Sequence, residues 1–421
     1  MHYPNCQVSL FHTPELRGFL KWLLPQRWNE VVGLQHMKLY IFDDALLISG
    51  ANLSADYFTQ RQDRYFLLTD VPELTDFFQD VVASVAQHSF LLRSGDTTTM
   101  HPSATHHPYK GDYKSYCAAV ESSIEEVWQR AVESTPERLN KLRRHCSSAG
   151  GGMKIDGEGG QSLSNGTRGS RDQAPSAPTA ANSSRNSGSE PPDTIVFPTL
   201  QMRSFNINYD TEVTKKLLTN AVSNSVVHLA SGYFNLTTAY MKCILHATRA
   251  RFNILCAHPT ANGFLGAAGV AGAIPAAYTF LAKRFMQRVE KLKQGYRVHL
   301  WEYQRKNWTF HAKGLWYHVS KQDQLDEPQM QQETKPCPPP RLPCLTLIGS
   351  PNFGFRSVKR DLESQLVLVT TSEMLQKRLH EERMHLFRWS TQVNVNETFS
   401  DASRYVKLWV RFVVPAIKRF F

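Results

Sequence analysis

Two short strings carry the chemistry in this sequence: His36-Met37-Lys38 and His311-Ala312-Lys313. An imidazole supplies a nucleophile or an acid near neutral pH, and an ammonium two positions on supplies a cation. On an extended strand the period of two puts both side chains on one face. Such a pair suits a phosphate diester, with the ring directed at phosphorus or the leaving oxygen and the ammonium at the non-bridging oxygens. A single His-x-Lys reads as a partly exposed strand pair. Two copies with matching surroundings read as a duplicated half-site.

The surroundings do match. Ser49-Gly50-Ala51-Asn52 lies on Gly349-Ser350-Pro351-Asn352 at an offset of 300, and the same offset places Asp63 on Glu363 and Tyr65–Thr69 on Gln365–Val369. The unit is His-x-Lys, strand, turn with Asn, acid, strand. Asn52 and Asn352, with Ser350 in support, are expected near the phosphoryl oxygens. An acid further on, Asp63 or Glu363, can hold the second ring nitrogen and fix the tautomer.

Short β-branched strands alternating with amphipathic helices must position these groups, and that alternation predicts α/β layers. Strands are expected at Met37–Phe42, Ala45–Ser49 and Tyr65–Thr69, then at Val226–Ala230, Phe252–Ala257, Val298–Tyr303, Phe310–Tyr317, Leu345–Gly349 and Gln365–Thr370. Helices are expected at Pro72–Gln87, Tyr113–Arg130, Thr211–Thr219, Thr237–Ala250, Ala276–Leu292 and Ser372–Phe387. Residues 147–193, rich in Gly, Ser, Asn and Pro, bury too little surface to offset ordering entropy and read as a disordered linker. They divide a first domain, 1–146, from a second, 194–421, which carries a polar Pro-rich insertion at 321–343.

The run His36-x-Lys38 with Asp43, followed by Ser49-Gly50-x-Asn52, resembles the HKD motif of the phospholipase D superfamily. The resemblance implies a phospholipase D-like fold of two α/β domains, each contributing one His-x-Lys to a shared phosphate. It implies a covalent phosphohistidine, with no cofactor and no metal. Carried over, His36 or His311 attacks phosphorus while the other protonates the leaving group. Lys38, Lys313, Asn52 and Asn352 bind the phosphoryl oxygens, and Asp43 is the motif's aspartate. In the second copy that position is His318, and Asp361 or Glu363 is expected to supply the carboxylate.

Longer strings narrow the match: GLQHMKLYIFDD, ISGANLSADYFTQRQDRY, SGYFNLT, GVAGAIPAAY, WTFHAKGLW and LIGSPNFGFRSVKRDLE resemble the eukaryotic phosphatidylglycerophosphate synthases. That family implies phosphatidyl transfer from CDP-diacylglycerol to glycerol 3-phosphate with release of CMP, peripheral to the mitochondrial inner membrane. Only 35 residues precede His36, against more than a hundred between the linker and His311, so the first domain reads as truncated and lacking a leader.

Composition bounds the rest. A net charge of +11 and a pI near 9.3 favour anionic partners. An acidic membrane surface is expected, and no nucleic acid, because no basic–aromatic strand series offers base stacking. Seven scattered cysteines without a CxxC suggest neither zinc nor a disulfide framework. No apolar run is long enough to span a bilayer. The tail from Tyr405 interleaves aromatics with Lys407 and Arg411, as a docking helix or an interfacial anchor would. Gly263–Gly272 could admit a diphosphate or simply pack closely. The rival readings are a phospholipase D-type phosphodiesterase or nuclease, and a non-catalytic lipid-binding remnant.

Overall fold

The computed structural model describes residues 5–24, 29, 32–148, 192–267, 272–319 and 342–417. Alternating apolar residues make Val226–Ala230 (β9), Arg251–Ala257 (β10) and Val298–Tyr303 (β11) three parallel neighbours. Gly314–His318 (β13), Leu345–Gly349 (β14) and Glu363–Thr370 (β15) continue the sheet antiparallel. Thr194–Gln201 (β8) forms one edge and Ser390–Gln392 (β16) the other. Strand β8 was not anticipated; it contains Pro198, which lacks an N–H and is tolerated on an edge.

Both faces of this sheet are covered, as parallel strands require. Val227, Leu229, Ile254 and Leu300 pack on one side with Ala282, Phe285 and Val289 of helix α7, Ile274–Lys291. Helices α5 (Tyr209–Thr219) and α6 (Thr238–Lys242) complete that layer through Leu218 and Tyr240. Ala230, Leu255, Trp316 and Leu368 face the other way, against Leu379 and Leu386 of α9, Glu373–Phe387.

The front of the chain builds a smaller sheet of Leu39–Phe42 (β2), Ala45–Ser49 (β3) and Tyr65–Leu68 (β5). Helix α3 (Pro72–Gln87) lies against it, burying Phe77, Phe78 and Val81. A third sheet joins Ser9–Leu10 (β1), Phe90–Leu92 (β6) and Thr98–Met100 (β7). Residues 1–128 and 193–421 form one compact unit, and Gln129–Pro192 a second. Helix α4 runs from Tyr113 to Ser148, well past its expected end. The remainder of the expected linker, and nearly all of the insertion 321–343, lie outside the described residues.

Two expectations need correction. The strand expected over Phe310–Tyr317 is interrupted: Thr309–Phe310 (β12) stops before His311, and β13 starts at Gly314 with φ +137°. The helix expected over Thr237–Ala250 closes after α6 in a wider π turn, Cys243–Ala247.

The repeat is kept in the strand register. Ser49 pairs with Tyr65 as Gly349 pairs with Gln365, each 300 positions on. Ala55–Thr59 (α2) corresponds likewise to Phe355–Lys359 (α8). Short parallel contacts then join the halves. Thr309 and Phe310 pair with Arg61 and Gln62 (β4), and Gln35 bridges Leu362.

Arg64 locks this junction. Its Nε and Nη2 donate to Glu382 at 2.8 and 2.9 Å, Nη1 donates to the carbonyls of Lys313 and Leu347, and Nη2 also reaches Thr346 Oγ1. All five donors of the guanidinium are used while it stacks on Trp316, 4.0 Å from the ring centroid. A side chain on Gly314 would collide with Arg64 and with the Leu347 carbonyl. Replacing Arg64 with Ala leaves Glu382 with the Trp316 indole N–H but without its cation, and takes a donor from two buried carbonyls, so urea unfolding should show a loss of about 3 kcal/mol. A change under about 1 kcal/mol, the range of an exposed pair, would show that this junction bears little of the fold.

Candidate active site

His36 and His311 each stand just before a strand that enters a sheet, β2 and β13. The backbone N–H of His36 donates to Leu362 O at 2.8 Å, and that of His311 to Gln62 O at 2.8 Å. These bonds draw each motif alongside the acid-bearing segment of the other half. The side chains follow. His36 Nδ1 meets Glu363 Oε2 at 2.8 Å, and His311 Nδ1 meets Asp63 Oδ2 at 2.7 Å. The acids are therefore exchanged: Asp63 serves the second histidine and Glu363 the first.

Both carboxylates are fully buried. Burial pushes each acid up, but the lysines and the imidazole N–H outweigh it and both are held below the ordinary range. An ionised carboxylate only accepts, so each Nδ1 carries the proton and each Nε2 presents a lone pair. Burial lowers both imidazoles, His311 to about 3 with Lys313 adding to the effect. Two neutral rings result, each with Nε2 turned away from its carboxylate; that of His311 lies 3.2 Å from Lys313 Nζ.

Lys38 and Lys313 each donate to the carbonyl of the histidine two residues back, at 2.8 Å. Burial lowers Lys38 to about 7 and Lys313 to about 8. Lys313 Nζ also lies 4.0 Å from Asp63 Oδ2 and closes over the His311 ring. Gly50 makes room for it, since a Cβ there would sit 2.7 Å from Lys313 Cδ.

The remaining expected residues fall as follows. Asn52 is exposed and donates to the Tyr57 hydroxyl at 3.2 Å, which lies 3.5 Å from His311 Nε2. Asn352 is half-buried, its Oδ1 3.5 Å from Ser231 Oγ. Ser350 is buried at the end of β14 and is bonded to the backbone of Ser364. Asp361 pairs with Arg356 at 2.9 Å and accepts from the Leu34 N–H. Asp43 is not brought to the histidines: it occupies the exposed turn between β2 and β3 with φ +49°, where a short polar side chain tolerates the left-handed region. The carboxylates at the rings are Glu363 and Asp63.

Several neighbours were not anticipated. Tyr57 and Tyr233 pack their rings edge-on to His311, at centroid distances of 5.1 and 5.7 Å, and Tyr278 stacks on Tyr233. Arg61 lies over Tyr57. Gly263 approaches Tyr233 and Arg61, so the start of the glycine-rich segment borders the site. The only available signal was that these residues fall within the strings that carry the resemblance. His36, Asp361 and Glu363 also offer ligand atoms within 4.8 Å of one another, and Glu363 Oε1 is buried without a hydrogen-bond partner. A cation there would compete with the bond that orients His36.

No family model matches the chain. Over 417 residues it is 45% identical to the mitochondrial CDP-diacylglycerol–glycerol-3-phosphate 3-phosphatidyltransferase of Gallus gallus, covering 99% of this chain and 66% of that one. The mitochondrial Homo sapiens protein of the same name is 44% identical over 415 residues, with the same shares. The Saccharomyces cerevisiae CDP-diacylglycerol–glycerol-3-phosphate 3-phosphatidyltransferase is 30% identical over 423 residues, covering 97% of this chain and 70% of that one. The chain belongs to this phosphatidyltransferase family. It spans 66% of the length of its chicken and human relatives. The fold is mixed α/β. A crystal structure of phosphatidylserine synthase from Haemophilus influenzae Rd KW20 shares it with a TM-score of 0.56 at 16% identity, over 93% of this chain and 72% of that one.

If the paired motifs act on a phosphate diester, their charge states set a pH profile. Attack requires neutral imidazole, and both rings are lowered, so the acid limb of kcat/KM falls below the ordinary histidine range. Phosphate binding requires ammonium, so the profile should decline as pH rises through about 7 to 8. Lys38→Met should cost about 10²–10³-fold in kcat. A profile flat to pH 10 would mean that neither lysine has the depressed value.

Proposed function

We propose that this chain transfers a phosphatidyl group from CDP-diacylglycerol to glycerol 3-phosphate, releasing CMP, within phosphatidylglycerol and cardiolipin synthesis. The observation that carries the reading is the pair of imidazoles, each aligned by a buried acid from the other half. Its setting in a chain 45% identical to a named transferase narrows the substrates.

Two neutral rings suit this chemistry. In the first step one Nε2 forms a bond to the lipid-side phosphorus, and the bond to the CMP oxygen breaks with its electron pair. A phosphate leaving group needs little protonation. In the second step the hydroxyl of glycerol 3-phosphate attacks the same phosphorus, the P–N bond breaks, and the other imidazole takes the hydroxyl proton. The anionic phosphate of glycerol 3-phosphate beside the rings raises their proton affinity and strengthens that base. Lys38 and Lys313 hold the non-bridging oxygens throughout, and no step calls for a resident metal.

The phosphodiesterase alternative makes the same covalent intermediate but passes it to water. Incubating the protein with CDP-diacylglycerol and radiolabelled glycerol 3-phosphate separates the outcomes. Label in the lipid phase is the transferase result. Phosphatidic acid alone is the hydrolase result, and no product is the remnant result. His36→Ala and His311→Ala should each lower transfer by several orders of magnitude, because a covalent-catalysis residue and its partner act as a unit. Near-normal turnover in either variant would remove the two-histidine mechanism.

A lipid substrate also calls for contact with its bilayer. No helix among the described residues is long and apolar enough to cross a membrane. Helix α11 (Leu408–Ile417) packs Val410 and Val414 against Ala277 of α7 and turns Leu408, Trp409 and Phe412 outward, with Phe412 80% exposed. Lys407 and Arg411 flank this stripe, an arrangement that suits peripheral docking on an anionic leaflet. We propose the mitochondrial inner membrane as that surface; the relatives' names support the mitochondrial part of this reading. The double variant Trp409→Gln, Phe412→Gln should lower cosedimentation with phosphatidylglycerol-containing vesicles by about tenfold or more. Unchanged partitioning would assign docking to another surface.

A further inference from the structure

Away from the histidine pair, α9 and the sheet face beneath it form an open cavity of about 580 Å³. Its lining includes His228 on β9, Asn253 on β10 and Trp301 on β11, with Arg383, Phe387 and Arg388 from the end of α9. It shares no residue with the site described above, and no carboxylate is among its lining residues.

The protonation state of its floor follows from a chain of hydrogen bonds. The indole N–H of Trp301 can only donate, and it meets Asn253 Oδ1 at 3.1 Å. That fixes the amide, so the Asn253 NH₂ faces His228 Nε2 at 3.3 Å. Arg383 Nη1, also a donor, meets the same Nε2 at 3.3 Å. Nε2 is therefore the acceptor and Nδ1 carries the proton. That Nδ1–H is buried without a hydrogen-bond partner, and so is the Arg383 Nε–H. Arg383 forms no ion pair with a carboxylate among the described residues; its neighbours are His228, His380 and the Met384 sulfur.

We propose that this cavity is an anion-binding site, separate from the catalytic centre, that takes the phosphate group of a small phosphorylated molecule or of a phosphorylated lipid headgroup. Arg383 and Arg388 supply two permanent cations with no carboxylate among the lining residues, and Trp301 and Phe387 form an apolar wall for the ligand body. An oxyanion would give the two guanidinium groups the counter-charge that the lining lacks. The lowered proton affinities of His228 and Arg383, each due first to burial, agree with a cluster of cations and donors lacking its counter-charge. The site does not depend on the transfer reaction proposed above.

Isothermal titration of the full chain with inorganic pyrophosphate tests this. Beside any binding at Lys38 and Lys313, a saturable component is expected that weakens about tenfold or more in Arg383→Gln, is partly restored in Arg383→Lys and persists in His311→Ala. Circular dichroism checks that each variant folds. If Arg383→Gln does not, Arg388→Gln takes its place, with weakened binding again expected. Cosedimentation with phosphatidylcholine vesicles, with and without phosphatidic acid, distinguishes the sources. An Arg383-dependent gain on phosphatidic acid assigns the headgroup, whereas pyrophosphate binding without that gain assigns a soluble ligand. Absence of saturable pyrophosphate binding, binding unchanged by the arginine variants, or binding lost in His311→Ala would overturn the proposal.

Discussion

Everything at the centre of this molecule depends on an exchange of carboxylates between two copies of one motif. A buried acid with no partner is costly, and a buried imidazole with no fixed tautomer is of little use to catalysis. Here each problem solves the other, but only across the junction, through His36 with Glu363 and His311 with Asp63. Neither half-site is complete within its own copy. The parallel contacts Gln35–Leu362 and Phe310–Gln62 set the distance at which the exchange is possible.

The two copies have kept this frame and diverged within it. Gly50 leaves space for Lys313, whereas its counterpart Ser350 bonds to the backbone of Ser364. Tyr57 approaches the second imidazole, while Ser357 accepts the Asn352 N–H. Arg61 corresponds to Asp361, which reverses the charge on one side of the site. Arg64, the front-half residue most deeply committed to the back half, corresponds to a serine. A repeated backbone thus presents two unlike faces at the site.

Much of this was readable in the chain. Ala45–Ser49, Val226–Ala230, Val298–Tyr303 and Leu345–Gly349 are strands on their expected bounds, and Pro72–Gln87 is a helix on its own, because apolar periodicity there is clear. The duplicated His-x-Lys and the acids at the 300 offset were equally plain. The partner of each acid was not. A repeat equates Asp63 with Glu363 but says nothing of which ring each one reaches; pairing between distant short segments decides that. Arg64 looked like any charged residue opening a strand, since its burial depends on carbonyls and a glutamate hundreds of positions away. Asp43 carried the motif's expected label, yet its place in the structure is a turn.

The two hairpins that follow the His-x-Lys pairs differ greatly at their tips. Asp43 and Asp44 alone join β2 to β3, whereas residues 319–344 separate β13 from β14. Strand register is nevertheless the same in both copies. The opposite ends of these hairpins meet the site, and from there to the acid the spacing has not changed by one residue. Lengthening a loop costs little entropy when its ends are already held. The length difference between the two copies thus falls at the far ends of the hairpins, which become natural places to splice in a reporter or an affinity handle without disturbing the histidine-bearing side.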